Sequence, residues 1–83
     1  MTDSLVQAEI DRMIEELDGE LTSHSRVIDA FLDLRSAVGD VQLIAVIDES
    51  LRNIPGRTAV SNDWFKTQLT TFRLMADDSF AQN

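Results

Sequence analysis

The sequence predicts an all-α fold, a small four-helix bundle-like domain with a central apolar third helix, and three observations carry that reading. Apolar residues recur at three- and four-residue steps in four separate stretches. A hydroxyl, carboxylate or amide side chain stands at the start of each stretch, where it can accept a bond from a backbone N–H that the first helical turn leaves unpaired. The third observation is Val41-Gln42-Leu43-Ile44-Ala45-Val46-Ile47, the one run that is apolar on nearly every side. A run this short fits a buried strand or a segment of buried helix. Its continuation favours the helix, because Leu43, Ile44, Ile47, Leu51 and Ile54 fall within about 100° when each residue turns by ~100°. A helix apolar all round must be covered on several sides, which puts it in the middle.

In chain order, Thr2, Asp3 or Ser4 can cap the first helix, whose stripe is Val6, Ile10, Met13, Ile14, Leu17 and Leu21. Gly19 projects opposite that stripe, and the return of Leu21 beyond it extends the expected helix to about Thr22. Glu9, Asp11, Arg12, Glu15, Glu16 and Asp18 form its solvated face, with Arg12 and Glu16 spaced to pair. The hydroxyls of Thr22, Ser23 and Ser25 can cap the second helix, which carries Val27, Ile28, Phe31, Leu32, Leu34 and Val38 and ends at Gly39. Asp40 caps the third, so helices two and three form an antiparallel hairpin. Pro55-Gly56 terminates the third helix and Thr58-Ala59-Val60 reads as a short link. Ser61 or Asn62 caps the fourth helix, with Phe65, Leu69, Phe72 and Ala76 on its core side and Trp64 and Met75 at the margin. Asp77 and Asp78 oppose the helix dipole, so residues 79–83 read as a flexible tail unless Phe80 docks. Val27-Ile28-Asp29 with Leu32 recurs as Val46-Ile47-Asp48 with Leu51, which is too little to make a repeat.

Eighty-three residues accommodate one domain, 1–83, and 43% hydrophobic with 27% charged residues is the composition of a folded chain. A core of this size contributes only about 3–5 kcal/mol, so with no cysteine to add a disulfide, self-association is the expected further source of stability. The absence of cysteine also excludes thiolate metal sites. No basic-then-apolar leader and no apolar stretch of ~20 residues is present, which makes cytoplasmic the expected location, away from membranes. The net charge of −8 is uneven: residues 1–40 hold ten acids and three arginines, residues 41–83 five acids and four bases. That excess repels phosphate backbones and disfavours nucleic acid as a general partner.

No catalytic constellation is legible, and neither an enzyme nor a cofactor is expected. Glu20 and His24 lie four apart, but a closed zinc site needs four ligands. Asp29 and Asp33 share a polar helix face without a pocket to separate their pKa values. Phosphate loops and nucleophile elbows are absent. The Asp-Ser-Leu signature of acyl carrier proteins is not reproduced in context: Asp3-Ser4-Leu5 has no helix before it, and Glu49-Ser50-Leu51 sits inside an apolar helix, so a carrier-like role ranks third.

A helix-turn-helix DNA-binding regulator ranks second. It would use residues 47–66, with Asn53 to Gly56 as the turn and Arg57, Asn62 and Lys66 facing DNA. Arg35 is unusual in falling within the apolar arc of its helix; either its stem snorkels outward or a carboxylate from another helix or chain meets it as a buried ion pair. The leading expectation is an acidic protein–protein interaction module, an adaptor, inhibitor or regulatory subunit, that binds another protein or forms a homodimer through Trp64, Met75 and Phe80.

Overall fold

The computed structural model describes residues 4–76. Four helices, α1 (Ser4–Glu16), α2 (His24–Ala37), α3 (Val41–Arg52) and α4 (Asn62–Met75), enclose the core. Two three-residue strands, β1 (Leu21–Ser23) and β2 (Ala59–Ser61), run straight into α2 and α4 and pair antiparallel. The fold is therefore all-α in class, with a small ribbon in place of the expected plain link at residues 58–60.

The expected caps form at three helices. Ser23 Oγ accepts from the Arg26 N–H at 3.4 Å, the Asp40 carboxylate from Gln42 at 2.8 Å and Ser61 Oγ from Asp63 at 3.2 Å. The first helix is shorter than its stripe suggests. It stops at Glu16, the Leu17 N–H closes a turn onto the Ile14 carbonyl, and Gly19 takes φ +73°, a left-handed conformation open to a residue without Cβ. Beyond that reversal Leu21 is 61% exposed, because its backbone pairs with β2 and does not continue a helix. The second helix closes at Val38, whose N–H donates to the Leu34 carbonyl, one residue before the glycine expected to end it.

Phe31 on α2 occupies the centre of the core. It meets Phe65 and Phe72 edge-on at 5.5 and 5.4 Å and lies tilted against Trp64 at 6.1 Å, so α2 and α4 supply its middle. The third helix joins through Leu43 and Ile47, both fully buried, while Val41 is 77% exposed and Ala45 faces solvent. The apolar run is covered on one broad side; the larger aromatic surfaces claim the centre.

The two halves of the chain repeat one plan, helix–strand–helix, about a pseudo-two-fold axis. Buried Val6 and Ile10 of α1 correspond to Leu43 and Ile47 of α3, 37 residues on. Val27, Phe31, Leu34 and Val38 correspond to Phe65, Leu69, Phe72 and Ala76, 38 residues on. The strand register is centred on Thr22 opposite Val60, itself a matched pair. Contacts between the halves occur twice with partners exchanged: the His24 N–H donates to the Thr58 carbonyl at 3.0 Å, and the Asn62 N–H to the Glu20 carbonyl at 2.8 Å. The extra residue falls in the Pro55-Gly56 turn, where a Cβ on Gly56 would lie 1.8 Å from the Ala59 carbonyl oxygen.

Candidate interaction surface

The halves differ where α1 and α2, or α3 and α4, splay beside the ribbon. In the second half Ser50 Oγ donates to Gln68 Oε1 at 2.7 Å across α3 and α4, and Trp64 packs half-buried against Phe31. The matching residues of the first half are Met13, Ala30 and Arg26. They leave an open cleft of about 290 Å³ floored by Met13, Leu17, Ala30 and Phe65. Leu21 forms its apolar lip, and Glu16, Asp18 and Arg26 stand on its polar rim. The Glu16 carboxylate accepts from Arg12 at 3.1 Å, whereas the Asp18 and Glu20 carboxylates and the Arg26 guanidinium make no ion pair among the described residues.

Asn62 supports the cleft from behind. Its side chain is buried, donates to the Asp18 and Gly19 carbonyls at 3.1 Å each and accepts from the Thr22 hydroxyl. The first α4 residue thereby fixes the turn after α1. This inward role takes Asn62 away from any base edge, and α3 and α4 are separated by residues 53–61 with a strand among them, not by the tight turn of a helix-turn-helix. Arg57 and Lys66 remain exposed.

Arg35 meets a carboxylate of another helix. Its Nε donates to Asp48 Oδ1 at 2.6 Å and its terminal nitrogen to Oδ2 at 3.3 Å, but the pair is half-exposed rather than buried, with side chains 45% and 33% exposed. The stem thus packs as a snorkelling arginine does while the head finds Asp48. Hydrogen bonding from Arg35 holds the Asp48 carboxyl below the usual carboxylate range against the opposing effect of desolvation. Arg52 does the same to Glu49, again chiefly through a hydrogen bond.

Trp64 and Met75 lie on one face of α4, three turns apart, and both are half-buried against the chain's own core. The neighbouring Leu74 is 52% exposed. Phe80 lies outside the described residues. Glu20 and His24 are joined to the second half through their backbones, and no three His, Asp or Glu side chains converge on a cation position among the described residues. Neither strand-bearing connection resembles a calcium loop, which gathers six to eight oxygen ligands: residues 17–23 contain two carboxylates and residues 53–61 none.

Sequence reasoning missed the cleft. Its only signal was the pairing of Arg26 with Trp64 and of Ala30 with Gln68, which requires the repeat offset to be known first. Among the described residues no helix is long and apolar enough to cross a membrane. In comparisons with known proteins, the chain matches no family model, no curated protein and no solved structure.

Proposed function

We propose that the chain is a non-catalytic protein-binding module that engages its partner through the first-half cleft. The observation that supports this most is an apolar floor opening beside a leucine, Leu21, that is 61% exposed. The cleft combines apolar side chains at its base with charged groups at its rim, a mixture that suits a protein contact, and at about 290 Å³ it lies near the lower limit, roughly 300 Å³, of pockets that enclose a drug-sized ligand. The −8 charge keeps such a surface soluble when unoccupied and steers basic partners towards it.

Self-association is a second reading, favoured by Leu74 exposed next to Met75 at the end of α4. Trp64 contributes less to it, since its ring packs on Phe31 of the same chain.

Photo-crosslinking tests the first reading. A benzoylphenylalanine at position 21 is expected to capture another polypeptide in a native extract, whereas the same group at exposed Thr70 captures little. Equal capture at the two positions, or capture of nucleic acid alone, would count against a protein-binding cleft.

A further inference from the structure

We infer that Asp18-Gly19 is a site of spontaneous backbone isomerisation, in which the Asp18 side chain closes on the Gly19 nitrogen, and that the Asn62 side chain sets its rate. The site does not depend on what the cleft binds.

Three features meet in the turn after α1. Asp18 is exposed, and its carboxylate makes no hydrogen bond or ion pair among the described residues. The Gly19 N–H likewise donates to nothing among them. No side chain shields that nitrogen, since Gly19 has no Cβ and nothing lies within 4 Å of the place one would take. Asp18 is also the only aspartate in the chain that a glycine follows.

The reaction needs no co-reactant but water. The Gly19 nitrogen attacks the carboxyl carbon of the Asp18 side chain; an N–C bond forms, a C–O bond breaks, and the hydroxyl leaves as water with the proton from the nitrogen. Water then opens the cyclic imide at one carbonyl or the other. One opening restores aspartate, and the other leaves the chain running through the side-chain carbons, one backbone atom longer.

Asn62 holds this in check. The Asp18 carbonyl and the Gly19 nitrogen belong to one rigid peptide plane, so turning the nitrogen onto the side chain turns the carbonyl with it. Asn62 Nδ2 donates to that carbonyl and to the Gly19 carbonyl, at 3.1 Å each, from a buried side chain that the Thr22 hydroxyl also holds. Ring closure therefore waits on local opening of the clamp. In the isomerised chain the former Asp18 carbonyl belongs to a free carboxylate, so the two acceptors that Asn62 spans are no longer fixed to one another. Asp18 stands on the rim of the cleft, and isomerisation loosens that rim.

The test is incubation of the full chain at neutral pH in heavy-oxygen water, where each ring opening deposits one labelled oxygen, followed by fragmentation of its peptides to place the label. Circular dichroism establishes that each protein stays folded throughout. The expected result is label and the isomerised linkage at residue 18 ahead of every other aspartate, gained several-fold faster in Asn62→Ala than in wild type. Gly56→Ala strains the other turn, against the Ala59 carbonyl, and should keep the wild-type rate at residue 18. Asn62→Asp, which keeps the shape of the side chain but cannot donate to the two carbonyls, replaces Asn62→Ala should that variant unfold. No label at residue 18 in wild type or in the Asn62 variant overturns the site. Equal rates in wild type and the Asn62 variant, or an equal acceleration in Gly56→Ala, overturn control by Asn62.

Discussion

Arg73 on α4 holds Asp11 on α1 across 62 residues of sequence, with Nε 2.7 Å from Oδ1 and a terminal nitrogen 3.4 Å from Oδ2. Arg35 and Asp48 make the same two contacts on the other side of the molecule, 38 and 37 residues away from their counterparts. Each pair fastens an outer helix of one half to a helix packed beside it, α1 to α4 and α3 to α2. The chain is thereby built like a dimer of half-domains joined through Val38, Gly39 and Asp40.

The second pair makes stability depend on acid. Asp48 has its folded-state pKa depressed by Arg35, and a carboxyl of that kind contributes stability that is fully present above its unfolded value, near ~3.9, and lost as pH falls through the depressed folded value. Glu49 acts in the same sense through Arg52. Denaturant midpoints are expected to fall between about pH 5 and pH 2, less steeply in Asp48→Asn. The effect is small because solvent screens half-exposed pairs. A variant with the wild-type slope would remove Asp48 from the explanation.

Asn62 is expected to matter more than the ion pairs. Asn62→Ala leaves the Thr22 hydroxyl and two backbone carbonyls without their partner and should destabilise by about 1–3 kcal/mol. Asn62→Asp should be no better, since a carboxylate cannot donate to the Asp18 and Gly19 carbonyls. Urea unfolding of the three proteins checks this, and an unchanged midpoint in Asn62→Asp contradicts the donor role.

The two turn glycines should respond unequally to alanine. At Gly19 nothing lies within 4 Å of the new Cβ, so the cost is that of φ +73°, about 1 kcal/mol. At Gly56 the Cβ collides with the Ala59 backbone carbonyl, and the turn into β2 must open. Gly56→Ala should therefore lower the thermal midpoint further than Gly19→Ala; the reverse order would contradict the close approach.

Trp64→Ala is expected to cost ~2 kcal/mol, below the 3–5 typical of a fully buried aromatic, because the indole is half-buried. Sedimentation equilibrium then separates packing from assembly. Trp64→Ala should leave the sedimented mass at its wild-type value, whereas Leu74→Lys should dissociate a dimer formed through the end of α4. A wild-type monomer throughout the micromolar range would end the self-association reading.

The helices were legible because their apolar residues recur at helical spacing and because Asp40, Ser61 and Ser23 cap through short-range bonds that sequence encodes directly. The strands were not, since three residues carry no period and Leu21 continues the stripe of α1 by spacing alone. Gly19 could be placed on a helical wheel without violation; only the pairing of β1 with β2 requires its left-handed turn. The repeat stayed hidden because it preserves place and polarity more than identity, as in Val6 with Leu43 or Phe31 with Leu69, and because its offset changes by one at Pro55-Gly56. The open cleft is a difference between the halves, so it became visible only with the symmetry.

The most direct measurement is an indole titration followed by amide and methyl chemical shifts across the whole chain. Indole is an apolar probe small enough for a cleft of about 290 Å³. Saturable shifts are expected at Met13, Leu17, Leu21 and Ala30, with Ile54 and Gln68 unmoved, and they should disappear in Arg26→Trp. Shifts distributed equally over both halves, or undiminished in Arg26→Trp, would contradict a cleft that one half leaves open and the other closes.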